Sequence, residues 1–305
     1  MCTQYAATRR AAKKRRLKWR CSGGPRRALG WIPFKSATLR RSGKGFRIYK
    51  KYLRVFDRDY LGDQRYGDGC LAQDAVGDWY LCLPIKVQPV LIPAPKPAVG
   101  IDLGLKIIAT TSDGETLQAG RWTEGIAPKL AMAQRRGHKK QAQRLHRKVK
   151  RCRLDALHQF SRRIVNQYQT IFVGDVSSPK LLKTRMAKSV LDSGWGLLRR
   201  QLQYKSEYAG RGFNLVNETF TTRDCSSCGA RTGPAGLDNL GVRRWRCSSC
   251  ENEHDRDINA AKNILSAGSR CGSLSAGTSL KTFSPPPRRA SRARKAGSGA
   301  IRAAA

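Results

Sequence analysis

Two hydrophobic periods alternate along the chain. From about Leu29 to Val90, short runs rich in β-branched and aromatic residues are broken by turn residues: WIPFKSATLRR, then FRIYKKYLRVF after Gly-Lys-Gly, then WYLCLPIKV after Val76-Gly77-Asp78. They predict a small β-rich domain over 28–90. The prolines of QPVLIPAPKPA remove backbone donors and favour extended conformations, so 91–98 reads as a linker. Beyond it, Val99–Leu103 is an apolar strand. Ile107–Thr111 and Thr116–Ala119 form a hairpin about a Ser-Asp-Gly turn. Residues 126–169 change to helical spacing, with Leu145, Val149, Cys152, Ala156, Phe160 and Ile164 on one stripe. IFVGDV (171–176) reads as a buried strand, the stretch from about Ser189 to Gly210 as helix, and NLVNETF (214–220) as the next strand. A short apolar helix opens at Asp255. This is an α/β order, and a core over 99–268 follows from it.

Charge adds a partner. Sixty Lys and Arg against 21 Asp and Glu leave a net +39. Self-repulsion of that size calls for a polyanion, so nucleic acid is the expected ligand. The run RRAAKKRRLKWR makes residues 1–27 a basic arm, with Arg15, Arg16, Lys18 and Arg20 as phosphate contacts. Trp19 and Trp31 supply aromatic faces, for bases or for a core. Opposite the apolar stripe of the long helix, Arg144, Arg147, Lys148 and Arg151 cluster. Like charges at that spacing are destabilising without a counter-charge, so this face too is read as facing nucleic acid. The tail, 269–305, is rich in Ser, Gly, Pro, Ala and Arg and is expected to be disordered. No stretch has the length or apolarity of a bilayer span, and a signal-peptide pattern is lacking, which favours a cytoplasmic, nucleoid-associated protein without a membrane partner.

The cysteines and acids add chemistry. Cys225/Cys228 and Cys247/Cys250 are C-x-x-C pairs with eighteen residues between them. Four thiolates at this spacing give Zn²⁺ a closed, structural shell, and 221–254 reads as a zinc ribbon rather than a disulfide-linked loop. The other six cysteines have no such spacing. Asp102 is an acid inside an apolar strand, which is costly unless it is paired, caps a loop or binds metal. Asp255 and Asp257 open the last helix; Asp255 suits the cap and Asp257 a metal. An acid on the first strand facing one at the start of the last helix suggests an RNase H-like core, with carboxylates holding two Mg²⁺ or Mn²⁺ ions for phosphodiester hydrolysis.

These segments together resemble the TnpB family, the OrfB-type transposon-encoded proteins related to type V CRISPR effectors. The resemblance rests on GIDLGL, on FVGDVSS with KTRMAKSVLDSGW, on TTRDCSSCG, and on the second C-x-x-C with HDRDINAAKNIL. It covers roughly residues 8–266. It implies an RNA-guided DNA endonuclease with a wedge-like β domain, a RuvC-type nuclease core and an inserted zinc ribbon. The guide RNA would come from the transposon end and the target would be double-stranded DNA, with Asp102 as first and Asp257 as third catalytic acid. Two departures stand out. Gly174 occupies the place of the family's second acid. Asp175 is adjacent, but strand alternation turns it to the other face. Glu218, on the neighbouring strand, is chosen as the replacement, with Asp175 re-aimed by a bulge, or no replacement at all, as the alternatives. The chain also begins near the RRLKWR arm, as an N-terminally truncated copy would. A nuclease-inactive RNA- and DNA-binding remnant, or a repressor, is the second reading.

Overall fold

The computed structural model describes residues 2–11, 28–43, 45–56, 65–86, 94–176, 187–235 and 238–273. Arg15, Arg16, Lys18, Arg20 and Trp19 lie outside them, as do most of the linker and the tail from 274 onward. Helix α1 spans Cys2–Ala11. Two three-stranded antiparallel sheets follow. One has the order β1 (Trp31–Phe34), β5 (Gly69–Gln73), β6 (Trp79–Cys82); the other runs β2 (Leu39–Ser42), β3 (Gly45–Ile48), β4 (Lys51–Arg54). Phe34, Leu39 and Phe46 form their shared core, with Tyr66, Leu71 and Leu81 packed around it.

The larger unit is built on five strands: β7 (Lys96–Asp102), β8 (Ile107–Thr111), β9 (Thr116–Gln118), β10 (Tyr168–Gly174) and β11 (Gly212–Val216). Their order is β11-β10-β7-β8-β9; the first three are parallel, and β8 and β9 return antiparallel. Helices α2 (Ala127–Arg135) and α3 (Lys139–Gln167) connect β9 to β10. Helices α4 (Ala187–Ser193) and α5 (Trp195–Tyr208) connect β10 to β11. Helix α6 (Arg256–Ser273) closes the unit.

Side-chain alternation along β7 sorts the two faces. Val99 and Ile101 point to one side, where Leu157, Phe160 and Ile164 of α3 and Leu198 and Leu202 of α5 complete the main core. Gly100 and Asp102 point to the other, against α6. A Cβ on Gly100 would stand 2.1 Å from the Ala261 carbonyl oxygen and 2.6 Å from the Leu265 amide. The helix backbone therefore lies directly on the strand, and only glycine permits it. Gly100→Ala should push α6 off the sheet and cost on the order of 2–3 kcal/mol, read as a melting temperature lower by several degrees.

The elements differ from the sequence pattern in six places, the first being that the helical stretch 126–169 is two helices, parted at Gly137 in the left-handed region (φ 67°). Strand β7 starts at Lys96, inside the stretch read as linker. β8 joins it only from Ile101, so the donor missing at Pro97 falls where β7 is paired on one side alone. Cys152, placed on the buried stripe of α3, is exposed. Leu157, Ser161 and Val165 are buried instead, because a 3.6-residue period drifts around so long a helix. The helix read from Ser189 to Gly210 is two helices, broken at Gly194 in the left-handed region (φ 70°). β11 ends at Val216, which leaves Glu218 in the loop beyond it. Finally, α6 runs through Ser273, past the expected start of the tail.

Candidate active site

Asp102, on the α6 side of the sheet, feels the charges of Asp257 and Glu218, although among the described residues only the four cysteines are drawn together closely enough to form a metal-ligand group. Asp102 is the last residue of β7. Burial raises its pKa to about 7, with the charges of Asp257 and Glu218 pushing the same way against the Leu103 amide and Arg256. Asp257 lies in the first turn of α6. The turn is capped by Asp255, whose Oδ1 accepts from the amides of Asp257 (3.0 Å) and Ile258 (3.1 Å).

Glu218 reaches the site across the strand edge. Gly174 points to the α6 face, and a Cβ built on it would stand 3.2 Å from Glu218 Oε2 and 3.7 Å from Glu218 Cβ. The glutamate side chain thus fills the volume that a side chain at 174 would occupy. Burial first, and then the charge of Asp175, raise the Glu218 pKa, with Arg199 opposing them. Asp175 lies on the opposite parity, and its carboxylate accepts from Arg199 of α5 at 2.8 Å. Arg199 Nη2 also donates to the Val176 carbonyl at 2.9 Å, so Asp175 is held away from Asp102.

An acid whose folded pKa lies above its ordinary value binds its proton more tightly folded than unfolded. The stability linked to Asp102 therefore falls as pH rises from about 4 to about 7 and is level above that. In divalent-free buffer, Asp102→Asn should raise stability by on the order of 2 kcal/mol at pH 8 and by little at pH 4. Thermal melts at the two pH values check this.

The ribbon lies between Glu218 and Asp257. Strands β12 (Arg244–Arg246) and β13 (Glu253–Asp255) pair antiparallel, and β13 runs into α6. The Sγ atoms of Cys225, Cys228, Cys247 and Cys250 all lie within 4.8 Å of one another. Cys225–Cys250 and Cys228–Cys247 are each 3.7 Å apart. The edge of a tetrahedron with Zn–S bonds of about 2.3 Å is roughly 3.8 Å. The cluster fits a structural zinc. The Thr232 hydroxyl donates to Cys247 Sγ at 3.1 Å and leads the contacts that lower the pKa of this thiol. His254 Nε2 stands 3.1 Å from Cys225 Sγ.

Sequence reasoning missed three side chains here. Arg243 Nη1 sits 3.0 and 2.9 Å from the two carboxylate oxygens of Asp257, placed there by the ribbon hairpin. Asn259 and Asn263, one turn apart on α6, both donate to the carbonyls of Thr221 and Asp224, and Asn259 also accepts from the Ser226 amide. They fasten the ribbon base, and with it the Glu218 loop, to the helix that carries Asp257. A pair of asparagines four residues apart on one helix was the available signal.

The basic face of α3 is divided. Arg144 and Lys148 are exposed. Arg147 instead pairs with Asp74 (3.1 Å) and Asp78 in the β5–β6 turn, and Arg151 donates to the Tyr80 hydroxyl at 2.7 Å. These two, read from sequence as phosphate contacts, have acidic or hydroxyl partners in the β domain. Trp31 is 40% exposed.

Two family descriptions match successive parts of the chain: "Probable transposase" (OrfB_IS605) over residues 83–185, and "Cas12f1-like, TNB domain" over 195–264. A Streptomyces pristinaespiralis protein named "Putative RNA-guided DNA endonuclease" is 34% identical over 219 residues. The chain belongs to the TnpB family. That relative match covers 66% of the TnpB chain and 54% of the relative. A similarly named Escherichia coli protein is 29% identical over 75% of this chain and 65% of its own length. The chain thus spans about half to two thirds of these relatives. Among solved structures, a Cas12f1–sgRNA–target DNA complex superposes with a TM-score of 0.51 at 15% identity, covering 80% of this chain and 63% of that one. The two share an α/β fold.

Proposed function

We propose that this TnpB chain carries the nuclease centre of an RNA-guided DNA endonuclease. In this reading the five-stranded sheet with α6 is an RNase H-like, RuvC-type core over 99–268. The ribbon at 221–254 is its insert, and 28–90 is a wedge-like nucleic-acid-binding domain. Asp102, Glu218 and Asp257 hold divalent cations. The observation that carries the proposal is Glu218 lying over Gly174, 3.2 Å from an added Cβ. It supplies a carboxylate where the family's second acid is absent.

The donor set is carboxylate oxygen throughout, which suits Mg²⁺ or Mn²⁺, whereas the ribbon offers sulfur. Bound there, such cations activate water and stabilise the leaving oxygen of a phosphodiester. The chain's own groups position and balance charge. Asp102 is fixed by a strand packed on both faces. Asp257 is fixed by a capped helix, and Glu218 by a loop tied to that helix. Arg243 neutralises Asp257 and offers a guanidinium to a phosphate brought beside it. Arg144 and Lys148 add non-specific backbone contacts.

The partners in this proposal are a guide RNA from the transposon end and a double-stranded DNA target. No helix among the described residues is long and apolar enough to cross a membrane, and a cytoplasmic, nucleoid-associated location belongs to the proposal. The test is to sequence RNA that copurifies with the zinc-loaded chain, then assay matched duplex DNA with that RNA and Mg²⁺. Cleavage that is abolished by Asp102→Asn while DNA binding persists supports the proposal. Intact DNA under these conditions rejects nuclease activity for this chain and favours the inactive-remnant reading.

A further inference from the structure

Phe220, two residues beyond Glu218, has a backbone conformation that phenylalanine rarely adopts. Its φ is 65°, in the left-handed region, where a bulky side chain is strained. The surroundings hold it there. Its carbonyl accepts from the amides of Arg223 (2.8 Å) and Asp224 (2.9 Å), and the carbonyls of Thr221 and Asp224 accept from Asn259 and Asn263. Burial does not account for the strain, because Phe220 is 41% exposed.

The ring is part of a stack. The Arg231 guanidinium lies over it, with Cζ 3.9 Å from the centroid, and Asp224 fixes that guanidinium through Nε at 2.7 Å. The Arg231 side chain is 50% exposed. Arg223 lies 5.6 Å from the same centroid, and its Nε is buried without a hydrogen-bond partner among the described residues. A flat, cationic, partly open stack held at a backbone cost beside a carboxylate centre has the chemistry of a nucleobase platform. Guanidinium planes and aromatic rings both stack bases, and do so without sequence preference.

We propose that Arg231, backed by Phe220, stacks one unpaired nucleobase of a single strand entering the catalytic centre, with Arg223 meeting the phosphate of that nucleotide. The choice of ligand rests on the nuclease reading, but the test does not need cleavage. The probe is oligodeoxythymidylate, titrated into zinc-loaded full chain at several salt concentrations, since raised salt weakens the phosphate contacts of the rest of the surface. Phe220→Leu keeps an apolar side chain without the flat ring. It should lower affinity on the order of tenfold at raised salt with an unchanged salt slope. Arg223→Ala should instead reduce the salt slope by about one. Phe220→Gly relieves the backbone strain and should bind as weakly as Phe220→Leu while melting no lower than the parent protein. The proposal is overturned if both Phe220 variants bind like the parent, or if their loss appears as a changed salt slope. A chain that binds in the proposed way but never cuts DNA would reject the nuclease reading and leave the platform standing.

Discussion

Glu218→Gln is expected to lower DNA cleavage on the order of a thousandfold, while Asp175→Asn stays within a few-fold of the parent. The contrast follows from parity. Gly174 and Asp102 lie on the α6 face, and the Glu218 carboxylate has entered that face from the neighbouring strand edge. Asp175 lies on the other face, paired with Arg199. On the proposed function, losing one of three cation-holding carboxylates removes several kcal/mol of transition-state stabilisation, and each 1.36 kcal/mol is a factor of ten. The stronger test is relocation. Glu218→Ala empties the volume above Gly174, and adding Gly174→Glu should refill it and restore part of the lost activity. Ile264 Cδ1, 3.1 Å from the new Cβ, must yield slightly. A double variant as inactive as Glu218→Ala, in a protein that melts normally and binds DNA, would show that Glu218 does not act from that volume.

Removing the zinc should have the second large effect. Cys225→Ser takes one sulfur from a closed shell. Structural zinc sites supply folding free energy directly, about 10 kcal/mol or more in small modules. The ribbon, with β12 and β13 of three residues each, has little else to hold it. The expected result is loss of bound zinc, protease sensitivity within 221–254, and no measurable cleavage. The core under α3 and α5 should keep most of its helical signal. Activity falls because Arg243 and the Thr221–Asp224 turn are ribbon residues, fastened to Asp257 and α6. Zinc content, limited proteolysis and cleavage, measured on one preparation, decide it. A zinc-free variant that still cuts would make the ribbon dispensable for catalysis.

Local chemistry was the legible part of the sequence. The cysteine spacing marked the four sulfurs, which the structure groups within 4.8 Å. An acid in an apolar strand marked Asp102, and alternation alone set Asp175 aside. Contacts between segments distant in the chain were not legible. Arg147 and Arg151 looked like phosphate ligands because their partners, Asp74, Asp78 and Tyr80, lie about seventy positions earlier in the β domain. Arg243 looked like one more basic residue until the ribbon hairpin brought it to Asp257. The end of β11 was missed for a related reason. NLVNETF reads as one strand, but β10 offers it a partner only as far as Gly174, opposite Val216, and Asn217 and Glu218 disfavour extending it.

The shared volume between Gly174 and Glu218 also bears on how such a chain could have descended from one with an acid on the β10 strand. Two acids at these positions would contend for one space, since a Cβ at 174 already comes within 3.2 Å of Glu218 Oε2. A lineage exchanging one for the other passes either through a crowded ancestor carrying both or through a silent one carrying neither. Only the first keeps cutting throughout, and it needs the newcomer's side chain to swing outward until the older acid is lost. On this route the loop beyond β11, rather than any position inside a strand, is where the replacement acid could arise.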